Sequence, residues 1–311
     1  VRVGDMSSPR SGHAAAVLDN GKVLVTGGFG RSAGSAEIYD PVTQRFSPTG
    51  KLVTSRAQHS ATLLEDGKVL IVGGCTTRSG EIYDPSSGTF SRTVGQISVP
   101  RSRHTATLLA DGRVLIAGGE CGSGSLKTVD VFDPATGTFT TTGGAMATPR
   151  HAHRAILLPN NEVLLVGGVV GQPGSSVGCP QAGDLYDPVA DSFRRTGDRA
   201  NRFTCDELNV NVEASLLANS LVLVVGKSEE LELYDPSHET FSLGARVQVK
   251  VGGTATLLPS GLVLLAGGSR SAGGRVLDMA QVYDPIQDVV VAAITLNTPR
   301  YGHTATPLHN G

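Results

Sequence analysis

An arginine followed three residues later by a histidine occurs five times in this sequence, and both residue types can do chemistry. The pairs are Arg10/His13, Arg56/His59, Arg101/His104, Arg150/His153 and Arg300/His303. Imidazole is a common metal ligand, so such a set would suit a ring of ligands. The ligands of one zinc ion, however, must all lie within about 2 Å of it, and residues repeated once per structural unit are held apart. We therefore predict that these pairs serve the fold and form no metal site. We expect each histidine to bond within its own unit and each arginine to brace a neighbouring loop.

Unrepeated polar residues concentrate in two other segments, 194–211 and 227–230. Connections between strands usually run about 2–6 residues, and loops longer than about 12 are usually functional or disordered. We predict a polar binding site from these segments; its residues are Arg199, Asn201, Arg202, Asp206, Glu207, Lys227 and Glu229. Their mixed charge suits a protein or glycan partner. A solvated loop without a function is the alternative.

Composition excludes two classes of partner. The 26 basic and 28 acidic residues nearly cancel, and no basic cluster of the kind that binds nucleic acid is present. No segment approaches the roughly 18–20 apolar residues that a membrane-spanning helix requires. We therefore predict no nucleic-acid binding and no membrane span.

The elements that position these residues follow from an internal repeat. The segment "HSATLLEDGKVLIVGG" from His59 has counterparts that begin at His13, His104, His153, Val212 and Gly253. Each copy predicts a strand, a tight turn such as Asp66-Gly67, and an apolar strand that is buried on both faces. An aromatic-Asp-Pro motif follows in every copy; its first residues are Tyr39, Tyr83, Phe132, Tyr186, Tyr234 and Tyr283. Four-stranded units that recur about every 50 residues are typical of propeller blades.

This combination of Gly-Gly, Tyr-Asp-Pro and an aromatic residue six positions after the aspartate resembles the kelch repeat, in its bacterial and galactose-oxidase-like style. The later aromatic residues are Phe46, Phe90, Phe139, Phe193 and Phe241, and the sixth copy has Val290. The resemblance covers nearly the whole chain and implies an all-β fold, with residues 1–311 forming a single kelch β-propeller domain of four-stranded blades. Galactose oxidases also imply a copper site with tyrosine and histidine ligands and a Tyr–Cys crosslink. Those positions have no match here, because every tyrosine except Tyr301 belongs to the repeat. We predict no catalytic residue, cofactor or metal ligand.

The number of blades is less determined. The first ten residues match the end of a repeat, and "HTATPLHNG" from His303 matches the start of one. We favour seven blades, six full repeats plus parts of a seventh that both ends of the chain supply, and we expect the natural chain to continue past Gly311. A six-bladed ring is the alternative.

The four cysteines are not part of the repeat. Cys75 and Cys121 follow the Gly-Gly pairs of consecutive copies, whereas Cys179 and Cys205 lie in long loops. Four cysteines allow three pairings. The expected loop topology puts all four on one face and favours disulfides Cys75–Cys121 and Cys179–Cys205, with free thiols as the alternative. Disulfides imply an oxidising compartment, and thus an extracellular, periplasmic or cell-surface protein.

Two functions remain open. The repeat accounts for nearly all candidate catalytic residues, so we favour a non-enzymatic scaffold. We call the four strands of each unit A–D in chain order and expect a protein or glycan to bind the loops between strands B and C and between strand D and the next strand A. The alternative is an enzyme that acts on a sugar or a small polar metabolite at the propeller face. The fold alone does not decide between them.

Overall fold

The computed structural model describes residues 4–122, 124–172, 178–201, 212–226, 228–248, 252–269, 275–303 and 305. The chain divides into two compact units, residues 1–145 and 146–311. The described residues of each unit form three four-stranded antiparallel sheets, which we call blades 1–3 and blades 4–6. The prediction of an all-β fold with four-stranded blades is confirmed. That residues 1–311 are a single domain stays a prediction.

The first unit contains the strands of blades 1–3 in chain order. They are β1–β4 (Ala14–Val17, Val23–Thr26, Ala36–Asp40, Arg45–Pro48), β5–β8 (His59–Leu63, Val69–Gly73, Ser79–Asp84, Thr89–Gln96) and β9–β12 (Thr105–Leu108, Val114–Ala117, Val129–Asp133, Thr138–Thr141). A short 3-10 helix, Gly30–Ser32, lies between β2 and β3. No helix in the described part of the chain is long and apolar enough to cross a membrane.

The second unit repeats this order in blades 4–6. The strands are β13–β16 (Arg154–Leu157, Val163–Val166, Ala182–Asp187, Ser192–Asp198), β17–β20 (Glu213–Leu216, Val222–Val225, Glu230–Asp235, Thr240–Arg246) and β21–β24 (Gly253–Leu257, Val263–Gly267, Met279–Asp284, Val289–Thr295). The structure therefore has six blades, and the preference for seven is wrong for the described residues. Most of the segment after His303, which we matched to a seventh copy, lies outside the described residues.

The second strand of each blade, strand B, forms the core, as its apolar run predicts. In β6 the side chains alternate between two clusters: Val69 and Ile71 pack with Leu24 of blade 1, and Leu70 packs with Val114 of blade 3. All of these side chains are fully buried. Strand B of blade 2 thus contributes to the interfaces with both neighbouring blades, which explains why the run has no polar position.

The Tyr-Asp-Pro motif ends strand C and starts the turn to strand D. The rings of Tyr83 and Phe90 pack with centroids 4.7 Å apart, and the Asp84 carboxylate accepts the backbone N–H of Ser86 at 2.8 Å. Equivalent ring pairs occur at Tyr39–Phe46, Phe132–Phe139, Tyr186–Phe193 and Tyr234–Phe241. In blade 6 Val290 faces Tyr283 in the ladder instead. The motif residues are therefore structural.

The Gly-Gly pair after strand B is required by two close approaches. A Cβ at Gly73 would lie 2.2 Å from the His104 ring of blade 3, and its φ is +91°. A Cβ at Gly74 would lie 3.3 Å from the carbonyl oxygen of Ala57 in its own blade. The first glycine thus admits the histidine of the next blade, and the second admits the connection that precedes its own strand A.

Truncation of strand B should be costly. We expect Leu115→Ala to lower the free energy of unfolding by about 2–5 kcal/mol, because Leu115 is fully buried in blade 3. The matched control is Val42→Ala at a side chain that is 90% exposed; it should change stability by about 0.5 kcal/mol or less. Urea unfolding followed by circular dichroism measures both, and equal midpoints would contradict the burial described here.

The first glycine of the pair should not tolerate a methyl group. Gly73→Ala and Gly261→Ala share left-handed backbone strain, but a Cβ at Gly261 has no heavy atom within 4 Å. We expect Gly261→Ala to cost about 1–2 kcal/mol from strain and Gly73→Ala to cost about 1–3 kcal/mol more from overpacking against His104. The two unfolding midpoints compare them directly; a less stable Gly261 variant would refute the role assigned to the contact.

Candidate functional site

The repeated arginine has a buried side chain inside its own blade in the first four copies, whereas Arg300 is exposed. Arg56 donates to the Gly73 carbonyl at 2.8 Å and, through Nε and Nη2, to the Glu81 carboxylate at 3.1 and 2.9 Å. Both side chains are fully buried. Burial lowers the pKa of Arg56, and the adjacent Glu81 charge opposes that shift. The arginine thus joins the connection before strand A to strands B and C of the same blade. Arg10 also braces the loop between β2 and β3, as expected, by donating to the Ser32 and Ser35 carbonyls.

The same pair recurs in five blades. The other pairs are Arg10–Glu37, Arg101–Asp130, Arg150–Asp184 and Arg199–Glu232. Blade 5 therefore has an equivalent arginine, Arg199, although the fifth copy of the repeat lacks the Arg-x-x-His pattern. In blade 6 the carboxylate is replaced by the amide of Gln281, which accepts the backbone N–H of Gln248 at 2.6 Å. The signal that could have found Arg199 is the acidic residue two positions before Tyr234, which is Glu232.

His59 and His104 each join their blade to the preceding one, contrary to the expectation of a bond within their own blade. His59 Nε2 lies 2.8 Å from Thr26 Oγ1, and His104 Nε2 lies 2.9 Å from Ser60 Oγ. Burial, reinforced by the nearby arginine charge, lowers the pKa of both imidazoles to about 3. They are neutral at physiological pH and act as junction bonds. Within the described residues no three His, Cys, Asp or Glu side chains are grouped to hold a metal.

The junction between blades 4 and 5 has a different chemistry. Val212 replaces the histidine and packs where a Cβ of Gly167 would be, within 2.6 Å. Two ion pairs cross this junction, Arg154–Glu213 and Arg194–Glu239. Their arginine side chains are about 40% exposed. This junction thus depends on exposed charges, whereas the junctions of blades 1–2 and 2–3 use a buried neutral bond.

The predicted binding residues are partly accounted for. Arg199 is buried against Glu232, and Asn201 donates its backbone N–H to the Glu232 carboxylate at 2.9 Å and its side chain to the Glu230 carbonyl at 3.2 Å. Glu229 is exposed. The structure thus brings Arg199 and Asn201 together around strand C of blade 5. Arg202, Asp206, Glu207 and Lys227 lie outside the described residues, so their role in binding stays a prediction.

Exposed charges accompany Glu229 at the same end of blades 4 and 5, where strand D ends and strand C begins. Arg246 pairs with Glu230 at 3.3 Å and is 78% exposed, and Arg195 pairs with Asp198 at 2.7 Å. The sequence analysis missed Arg246, although its place at the end of strand D in blade 5 matches that of Asp198 in blade 4. These residues and Glu229 make a polar surface of mixed charge, which we call the blade 4–5 surface.

The cysteines differ from the predicted pairing. Cys75 and Cys121 form no disulfide in the structure. Each sulfur donates to an oxygen atom, Cys75 to the Glu120 carbonyl at 3.1 Å and Cys121 to the Cys75 carbonyl at 3.4 Å. The predicted Cys75–Cys121 disulfide is absent from the structure. Cys179 is not among the free thiols of the described residues. Its predicted partner, Cys205, lies outside those residues, and this pairing stays a prediction.

The comparison with protein families matches this repeat directly. The family model of the kelch motif matches residues 9–52 and 100–143, which include blades 1 and 3 with the connections before them. These matches and the four-stranded blades support the predicted kelch-repeat β-propeller. No curated protein has a sequence significantly similar to this propeller.

Solved structures share the fold at low sequence identity. One is a fungal alcohol oxidase of the AA5 family in complex with copper, with 19% identity, a TM-score of 0.67 and 83% of this chain covered. The propeller spans 58% of the length of that oxidase. Another is YjhT, with 12% identity, a TM-score of 0.65, and 93% of this chain and 98% of that chain covered. At these identities the likeness shows the fold alone.

The described residues do not fit the copper site that the resemblance to galactose oxidases implies. The repeated tyrosines stack on phenylalanine or hydrogen-bond within their blades, as Tyr283 does to Asp288 at 2.8 Å. The neighbours of Cys75 are Ser102, Glu120 and Cys121, with no tyrosine among them. A Tyr–Cys crosslink with histidine ligands therefore has no counterpart in this part of the chain.

Replacement of Arg199 distinguishes a structural from a binding role. Breaking a buried ion pair leaves a buried charge without compensation, so we expect Arg199→Ala to lower the free energy of unfolding by about 3–5 kcal/mol. Arg195→Ala removes an exposed pair four residues earlier and should cost about 0–1 kcal/mol. Urea unfolding of both variants is the measurement. Equal stabilities would contradict the structural role and leave Arg199 as a candidate binding residue.

The buried histidines should make stability pH-dependent. Their pKa is about 3 in the folded propeller and about 6.5 when unfolded, so the unfolded chain binds more protons below about pH 6.5. The free energy of unfolding should therefore fall as pH decreases, by up to about 1.4 kcal/mol per pH unit for each histidine. In His104→Gln, which keeps a donor toward Ser60, this slope between about pH 6.5 and pH 5 should be smaller by up to that amount. Parallel curves for variant and wild type would show that His104 titrates normally in the fold.

Proposed function

We propose that this propeller is a non-enzymatic binding module that engages a polar protein or glycan partner with the blade 4–5 surface. One observation carries the proposal: the chemistry-bearing residues of the repeat are engaged inside the blades, whereas Asp198, Glu229 and Arg246 are unrepeated and exposed. The predicted residues Arg202, Asp206, Glu207 and Lys227 belong to the same loops. Kelch propellers provide a rigid scaffold on which such loops can vary.

The mixed charge of this surface indicates the kind of contact. Arg246 and Glu230 lie opposite each other in the ladder and Arg195 and Asp198 are three residues apart, so acids and bases alternate over a short distance. Such a surface can both donate and accept hydrogen bonds, which suits the hydroxyl groups of a glycan or the polar rim of a protein interface. Exposed pairs contribute about 0–1 kcal/mol to stability, so they can exchange partners at little cost to the fold.

An oxidase is the competing function, because a structural neighbour binds copper. The described residues contain no group of three metal-ligating side chains, and the repeated tyrosines are used in packing. Binding therefore has the better support from this chain's own residues.

We also propose a location outside the cytoplasm. The support is narrower than the sequence suggests, since Cys75 and Cys121 are free thiols and only Cys179, with Cys205 as its predicted partner, still argues for an oxidising compartment. Peptide mapping without reduction tests this directly. A linked peptide pair containing Cys179 and Cys205 supports the location, and two unlinked peptides remove the support.

The binding proposal is tested by a double substitution, Glu229→Ala with Arg246→Ala. Probed on an array of neutral and acidic glycans, the wild type should bind a subset, and this variant should bind it at least about tenfold more weakly, since two or three charged contacts are each worth about 0.5–1 kcal/mol or more at an interface. The matched control is Asp66→Ala with Lys68→Ala, an exposed acid–base pair at a turn of blade 2. It should bind as the wild type does.

A protein partner requires a second measurement. A photo-crosslinking amino acid at position 229 should capture the partner, whereas the same group at position 66 should not. Capture at position 66 alone, or glycan binding that only the control variant loses, would place the binding surface elsewhere. Turnover of a sugar substrate that survives both double substitutions would favour the enzyme.

A further inference from the structure

The thiols of Cys75 and Cys121 lie together where blades 2 and 3 meet. Cys75 follows the Gly-Gly pair of blade 2, and Cys121 follows that of blade 3 by one further residue. The Cys121 thiol lies 3.4 Å from the Cys75 carbonyl oxygen. Cys75 is exposed and Cys121 is half-buried. The two cysteines are thus adjacent, and Cys75 is open to solvent.

The backbone around the pair is tightly held. The connection before β9 and the segment after β10 exchange two backbone hydrogen bonds between Ser102 and Glu120, each 2.9 Å long. Gly74 donates to the Arg101 carbonyl at 2.8 Å, which fixes the Cys75 segment to the same connection. The contact between the two cysteines therefore does not depend on a mobile loop. The other described blades have no cysteine after their Gly-Gly pair, apart from Cys179 in the long loop of blade 4, so the fold itself does not require this contact.

We propose that Cys75 and Cys121 form a redox-responsive dithiol that closes into a disulfide between blades 2 and 3 when a small-molecule disulfide is the oxidant. The thiolate of Cys75, its proton lost to solvent, attacks one sulfur of the oxidant. A mixed disulfide forms and one small thiolate leaves and is protonated. The thiolate of Cys121, also deprotonated by solvent, then attacks the Cys75 sulfur and releases the second small thiol. Two thiols of the protein are oxidised by two electrons, and one small disulfide is reduced to two thiols.

The surroundings set the order of these steps. Burial, together with the hydrogen bond to Cys75 and the charge of Glu120, raises the pKa of the Cys121 thiol to about 11. The thiolate is the nucleophile, so Cys121 is the slower one toward an external disulfide. Exposure favours Cys75 as the site of first attack. Once Cys75 carries the mixed disulfide, the contact makes the second attack intramolecular, and closure should accelerate as pH rises.

Tryptic mapping detects closure without ambiguity. Cys75 lies in the peptide Val69–Arg78 and Cys121 in Val114–Lys127. The full chain is fully reduced, freed of reductant, incubated with oxidised glutathione, alkylated with iodoacetamide and digested. We expect the two peptides to appear linked in the wild type and to separate again after dithiothreitol. In Cys121→Ser the expected product is a stable glutathione adduct on Cys75, with no linked peptide.

A displaced cysteine is the matched control. The double variant Cys75→Ser with Thr76→Cys keeps one exposed thiol in the same loop but moves it by a residue. Its linked fraction should be at least tenfold lower at equal time, with glutathione adducts in its place. Wild-type thiols that both carry glutathione without linking, or equal linking in the displaced variant, would overturn the proposal. A wild type that forms neither adduct nor link would overturn it too.

Discussion

The buried arginine–carboxylate pair is the interaction on which blades 1–5 depend. Arg56 lies before strand A, yet its guanidinium reaches the end of strand B through the Gly73 carbonyl and strand C through Glu81. A buried charge is tolerated only when its partner and its hydrogen bonds are all in place. Here the N–H donors that make arginine costly to bury join the incoming connection to two strands of the sheet. The pair therefore fixes where a blade begins, while the apolar strand B supplies the driving force for packing.

The glycines and the histidine follow from that arrangement. When the arginine holds the connection in place, the histidine three residues later is directed toward the preceding blade, and only a glycine leaves room for its ring beside strand B. The aromatic pair at the other end of the blade involves no neighbouring blade, because Tyr83 and Phe90 are opposite each other in one ladder. Contacts inside a blade are thus local in sequence, whereas the histidine bonds between blades use a few residues at fixed positions.

Sequence reasoning predicted what periodicity controls. The burial of Val69–Val72, the turns after strand A and the structural role of the tyrosines all follow from a pattern repeated six times. Sequence reasoning failed where two partners were possible for one side chain. Spacing alone does not tell whether His59 bonds within its own blade or to Thr26 of the preceding one. It also missed the structural role of Arg199, because a long insertion and the absent histidine hid the match, and only the partner Glu232 in strand C reveals it. The state of Cys75 depends on contacts to Ser102 and Glu120 that lie in another blade and carry no sequence pattern.

The junction between blades 4 and 5 responds to its surroundings in a way the histidine junctions do not. Its crossing pairs, Arg154–Glu213 and Arg194–Glu239, lie partly in solvent, where dissolved ions weaken attraction over a Debye length of about 8 Å at physiological ionic strength. The neutral bond between His59 and Thr26 is buried and carries no net charge to be screened. Ionic strength thus affects the junction between blades 4 and 5 more than the junctions that a buried histidine bonds. The blade 4–5 surface lies on the same two blades. A change of salt can loosen that neighbourhood while the packed strands on either side keep their stability.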